Sequence, residues 1–131
     1  MNTDRFKHRV AIRQEDGTYK LFNITCICYQ PNGDITVDYN DPALPYGGDA
    51  KIDGENAILE QCTGLRDKNG KLIYEGDVIK PAEPAETGRY VVEWDNRTYA
   101  FSFQKVNGFK SQKFYYLYSD DVEIVGNIHK G

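Results

Sequence analysis

Apolar and polar residues alternate along most of this chain with a period of two, the pattern of half-buried strands, and sustained helical periodicity is missing. The first strand is predicted at Lys7–Arg13, with Val10 and Ile12 on one face. Asp16-Gly17 is a turn dipeptide, and Tyr19–Tyr29 resumes as a second strand that pairs with the first as a hairpin. Pro31-Asn32-Gly33-Asp34 supplies the next turn, because proline presets one dihedral and Asn-Gly tolerates positive φ. Ile35–Tyr39 follows, with Ile35, Val37 and Tyr39 facing one way and Thr36 and Asp38 the other. Prolines, aspartates and Gly47-Gly48 make Asn40–Gly54 an irregular stretch, ended by a short strand at Ala57-Ile58-Leu59.

In the second half, Asp67-Lys68-Asn69-Gly70 turns the chain between Thr63-Gly64-Leu65 and Lys71-Leu72-Ile73-Tyr74. Glu75-Gly76-Asp77 bends it into Val78-Ile79-Lys80, and Pro81–Gly88 reads as a polar loop. Arg89–Trp94 and Tyr99–Gln104 alternate on either side of four polar residues, which predicts a hairpin with Trp94, Phe101 and Phe103 in its core. Lys105–Lys113 reads as a basic loop, and Phe114–Tyr118 and Val122–Ile128 as further strands. The expected fold is mainly β. An N-terminal β-hairpin/meander with an acidic loop occupies residues 1–62. Residues 63–131 form a small curled sheet resembling an SH3-like barrel, an arrangement that removes exposed strand edges.

Charge and cysteine usage narrow the partners. The net charge is −4, concentrated in residues 14–62, where nine acids face only Lys20 and Lys51; residues 63–131 balance ten against ten. An acidic N-terminal half disfavours wrapping a phosphate backbone and leaves the second half open to it. No apolar run approaches the roughly 18–20 residues that span a bilayer, so no membrane partner is expected. A polar N-terminus, Asn2-Thr3-Asp4-Arg5, carries no secretory signal pattern. Cys26, Cys28 and Cys62 make a poor disulfide framework, which points to the cytoplasm.

Candidate chemistry is sparse. Asp67, Glu75 and Asp77 could hold a cation, but their spacing matches no metal motif, and turn-capping by Asp67 and Asp77 is the expected role. Cys26 and Cys28 share a strand face without forming the knuckle of a zinc site, so with Cys62 they read as buried structural thiols. His8 and His129 stand near opposite ends of the chain and read as exposed or edge-packed. Two surfaces remain. Arg97, Lys105, Lys110 and Lys113 with Tyr99, Phe109 and Tyr115 could neutralise phosphates and stack bases. The loop at Asp41–Asp53 offers Leu44 and Tyr46 as an apolar anchor for a protein.

One sequence pattern is distinctive. Gln61-Cys62-Thr63-Gly64-Leu65-Arg66-Asp67-Lys68-Asn69-Gly70, continuing as Lys71-Leu72-Ile73-Tyr74-Glu75-Gly76-Asp77-Val78-Ile79-Lys80, resembles the YopX-like family of phage and prophage proteins. The closing Val122-Glu123-Ile124-Val125-Gly126-Asn127-Ile128-His129 carries the same resemblance; Cys62 departs from it, standing where the family usually has an aromatic residue. The resemblance implies a phage-derived accessory protein and no particular reaction, cofactor or active site. The expectation is a non-catalytic protein-interaction module whose partner is another protein or a second copy of the chain. A nucleic-acid-binding β-barrel is the alternative.

Overall fold

The computed structural model describes residues 3–81, 88–96, 99–105, 111–113 and 122–130, with backbone only at Lys105, Ser111–Lys113 and Lys130. The first sheet contains β1 (His8–Arg13), β2 (Tyr19–Tyr29), β3 (Ile35–Tyr39), β4 (Gly48–Lys51), β5 (Ala57–Arg66) and β6 (Leu72–Tyr74). The second contains β7 (Asp77–Pro81), β8 (Tyr90–Asp95), β9 (Ala100–Lys105), β10 (Ser111–Lys113) and β11 (Val122–Asn127). Short 3-10 turns at Asp4–Phe6 and Ile128–Lys130 flank them, and no helix among the described residues is long and apolar enough to cross a membrane.

The six-stranded sheet runs β4-β3-β2-β1-β5-β6, every pair antiparallel. Its first four strands are the meander that the turn dipeptides predict. β1 is the pivot, because it pairs Val10 with Phe22 on one side and with Leu59 on the other. Val10, Val37, Tyr39 and Ala57 form its core, with Ile12, Phe22, Ile24 and Leu59 packed around them. β4 forms where the sequence reads as irregular. Pairing with β3 supplies what local propensity does not, and Gly48 lies so close to the Tyr39 ring that a Cβ would overlap it.

The five-stranded sheet runs β10-β9-β8-β7-β11. Ile73, Ile79, Tyr90, Val92, Phe103 and Val122 form a second core, in which Tyr90 meets Phe103 edge to face at 5.1 Å. Trp94, expected in the core, pairs with Phe101 at the far end of the β8–β9 hairpin and is 39% exposed.

The expected SH3-like barrel is not what forms. Among the described residues both sheets are open and neither curls closed, β10 and β11 being the two edges of the second. The reason lies in β5. A short strand was expected at Ala57–Leu59, but β5 extends to Arg66, because the outer edge of β1 takes Ala57–Gln61 as its second partner. β6 then pairs with β5, so residues 57–74 serve the first sheet and cannot help close the second. The boundary expected between residues 62 and 63 falls inside β5. Part of the expected basic loop forms β10, paired with β9, and the strand expected at 114–118 lies outside the described residues.

The sheets meet at Gly76, between β6 and β7. Its N–H donates to Val92 O at 2.8 Å, and its carbonyl accepts from Ile128 N–H at 2.7 Å. Gly76 adopts φ +83°, and a Cβ there would overlap the Glu60 carboxylate. Gly70 shares the left-handed conformation (φ +82°) but has open space where a Cβ would go. Gly70→Ala is therefore expected to cost about 1 kcal/mol, from backbone strain alone. Gly76→Ala should cost about 3 kcal/mol or more, since strain and overlap act together. Urea unfolding of both variants checks this; equal costs would mean that the contact with Glu60 does not constrain the joint.

Candidate functional site

Five polar side chains from four parts of the chain converge at that joint. Arg9 on β1 faces away from Val10 and Ile12, and its direct cross-strand partner on β5 is Glu60. Arg9 Nε donates to Glu60 Oε1 at 2.6 Å, while Nη2 donates to Asp77 Oδ1 on β7. A planar fork can bridge two carboxylates in this way, which a lysine ammonium cannot reproduce. Both carboxylate side chains are only 2% exposed and that of Arg9 13%, so the ion pairs are shielded from water. Asn127 ties the carboxylates together: its Nδ2 lies 3.3 Å from Glu60 Oε2 and 3.5 Å from Asp77 Oδ1. His129 Nε2 reaches Glu60 Oε2 at 3.2 Å, and Asp77 Oδ2 accepts Tyr74 N–H at 2.8 Å. The Arg9 guanidinium also stands over the Tyr74 ring, 4.5 Å from its centroid.

One guanidinium serves two buried carboxylates, and the electrostatics follow from that count. Burial pushes the pKa values of Glu60 and Asp77 up; the attraction of Arg9 opposes this without cancelling it. Burial also opposes the charge on Arg9, but the two carboxylates outweigh it and raise the Arg9 pKa. His129 is held below its ordinary value of 6.5 by burial and by nearby Arg9. Both influences favour its neutral form.

An open cleft of about 620 Å³ borders this network, lined by Arg9, Leu21, Lys71, Leu72, Asp77, Val78, Arg89 and residues 124–127. Its chemistry is mixed. Arg9 is already committed to carboxylates, and Lys71 and Arg89 stand exposed at its margin.

The carboxylates singled out by sequence are separated. Asp67 Oδ1 accepts the N–H groups of Asn69 and Lys71, both at 2.9 Å, which is turn capping as expected. Its Oδ2 also accepts Ile124 N–H at 3.1 Å, fastening β11 to the turn. Burial alone would raise the Asp67 pKa, but these backbone donors lower it. Glu75 Oε1 accepts Gln61 N–H at 2.7 Å. No three His, Cys, Asp or Glu side chains gather as a metal site among the described residues. Of the three thiols expected to be buried only Cys62 is; Cys26 and Cys28 are exposed, because they lie on the solvent face of β2. His8 donates from Nδ1 to Phe6 O at 2.9 Å.

Of the basic and aromatic surface, Arg97, Phe109, Lys110 and Tyr115 lie outside the described residues. Lys105 and Lys113 fall on neighbouring strands, β9 and β10. Tyr99 is 80% exposed, with φ +54° at the β8–β9 turn. Leu44 and Tyr46 are both exposed, Tyr46 completely. Sequence reasoning missed Arg9, Glu60 and Asn127. The available signal was a charge set inside an apolar strand, Arg9 beside Val10-Ala11-Ile12 and Glu60 after Ala57-Ile58-Leu59.

Arg9→Met would leave two buried carboxylates without a cation, an expected loss of about 3–5 kcal/mol. Glu60→Gln leaves Arg9 and Asp77 as a matched pair and should cost less. Because the folded-state pKa of Glu60 lies above its ordinary value of 4.5, the native state holds that proton to higher pH than the unfolded chain. This group's contribution to stability therefore declines as pH rises from about 4.5 through the raised folded value. Glu60→Gln should flatten that decline in urea titrations from pH 4 to 8; an unchanged slope would show that Glu60 does not titrate abnormally.

Comparison with known proteins adds identity. Two solved structures share the fold. Protein EF1440 from Enterococcus faecalis aligns with a TM-score of 0.61 at 21% identity, covering 95% of this chain and 93% of its own. Protein yopX from Bacillus subtilis aligns with a TM-score of 0.59 at 16% identity, covering 100% of this chain and 96% of its own. A comparison with curated proteins returned no match. The family model described as YopX protein matches residues 12–131, a span that includes Glu60, Asp77, Asn127 and His129 and begins just after Arg9. This chain therefore belongs to the YopX protein family.

Proposed function

We propose that the protein is a non-catalytic interaction module, a phage-derived accessory protein acting in the cytoplasm, that docks another protein through the β3–β4 loop. The observation that carries this reading is Tyr46, a fully exposed aromatic side chain on a loop fixed by its own hydrogen bonds. Asp41 Oδ1 accepts Ala43 N–H at 2.9 Å, Asp41 O accepts Leu44 N–H at 3.0 Å, and Leu44 O accepts Gly47 N–H at 3.2 Å. Leu44, 44% exposed, stands beside it on the same loop. An apolar anchor held ready in one backbone conformation loses little entropy on binding, which favours its use as a contact. The buried polar network supports a non-catalytic reading, because Arg9, Asn127, His129 and the Tyr74 N–H already occupy the carboxylates of Glu60 and Asp77.

Nucleic acid is the competing partner. Four of the residues that would carry it, Arg97, Phe109, Lys110 and Tyr115, lie outside the described residues, so no geometry favours it over the loop.

The test is affinity capture from host cells, comparing the native chain with Tyr46→Ala and Leu44→Ala. A protein held by the native chain should be lost from Tyr46→Ala by about 30-fold or more, the scale of a central interface aromatic, with no change in melting temperature. A partner retained equally by both variants would refute docking at this loop. Salt-sensitive recovery of nucleic acid would favour the competing reading.

A further inference from the structure

We propose that Cys26 and Cys28 form a two-thiolate half-site for a tetrahedral, thiophilic d10 cation such as Zn²⁺ or Cd²⁺, on the outer face of β2. The two Sγ atoms stand 3.8 Å apart, and both residues are exposed. Two thiolates on a tetrahedral ion with metal–sulfur bonds of about 2.3 Å lie about 3.8 Å apart, so the pair already has the required bite. A linear two-coordinate ion with similar bonds needs about 4.6 Å between sulfurs, a poorer match. A disulfide needs about 2.05 Å, and residues two apart in an extended strand have Cα atoms about 6.8 Å apart, at the upper limit for bridging. Extended β2 therefore presents the sulfurs as a separated dithiol.

The strand explains why the pair is accessible. β1 covers β2 only from Tyr19 to Asn23, so Cys26 and Cys28 lie on an overhang paired with β3 alone. Ile27 between them turns inward against the first core, which fixes both cysteines on the opposite, solvent face. Across the strands, Cys26 is paired with Asp38, and Asp38 with Asp49. This acidic row attracts a divalent cation towards the two sulfurs. Water or an added ligand completes the tetrahedron. Binding forms two metal–sulfur bonds and releases one proton from each thiol, with no change of oxidation state.

The experiment is titration of the reduced chain with Cd²⁺, read by sulfur-to-cadmium charge-transfer absorption, with Zn²⁺ as competitor. One Cd²⁺ per chain is expected, displaced by Zn²⁺. Cys26→Ser and Cys28→Ser should each weaken binding by more than about 100-fold, beyond what losing an outer-shell partner costs. Cys62→Ser should bind as the native chain does, since Cys62 is buried elsewhere. Alkylating the exposed thiols of the folded native chain should abolish the signal without any substitution. Absence of the band in the reduced chain, or its survival in either Cys26→Ser or Cys28→Ser, would overturn the proposal.

Discussion

The structure turns on one guanidinium shared by two buried carboxylates. Arg9 comes from the central strand of the first sheet, Glu60 from its cross-strand neighbour and Asp77 from the first strand of the second sheet. A lone buried carboxylate is costly, so the arrangement requires all three strands to arrive at one point. Gly76 permits this by leaving room for the Glu60 carboxylate, and Asn127 closes the far side by bridging both acids. Such a network is weak as a source of net stability, because desolvation consumes most of the attraction. What it does here is geometric, setting how the two sheets dock.

Stability comes instead from the two apolar clusters, each belonging largely to its own sheet. Ile73 on β6 is the exception, a residue of the first sheet packed into the core of the second. The apolar contact at Ile73 and the polar joint at Arg9 therefore lie on either side of Gly76, and together they couple sheets that could otherwise form separately. Asp67 adds a third tie, capping its own turn while holding Ile124 on β11.

Strand positions were largely legible in the sequence, and strand partners were not. The alternations at Tyr19–Tyr29 and Ile35–Tyr39 give those strands their exact bounds, because side-chain period and turn dipeptides are local properties. The barrel expectation failed because pairing is not local: nothing in Ala57–Arg66 announces that its partner is β1, some fifty residues away. The same limit hid the joint. Asp77 was visible as a capping residue in a distinctive Glu-Gly-Asp bend, but Arg9, Glu60 and Asn127 acquire meaning only when long-range pairing brings them to it. The family signature at 61–80 and 122–129 thus marks folding chemistry: its two segments meet through Asp77, Asn127 and the Asp67–Ile124 tie. The Leu44–Tyr46 loop lies outside that signature.

The central claim is that Arg9 and Asp77 act as one unit across the junction of the sheets. A double-mutant cycle combining Arg9→Met with Asp77→Asn, read by equilibrium urea unfolding, measures this directly. The account predicts that the second substitution costs about 2 kcal/mol less once the first is present, as for directly coupled partners. Additive losses would contradict it, leaving the junction to the apolar contact at Ile73 and the backbone ties at Gly76 and Asp67.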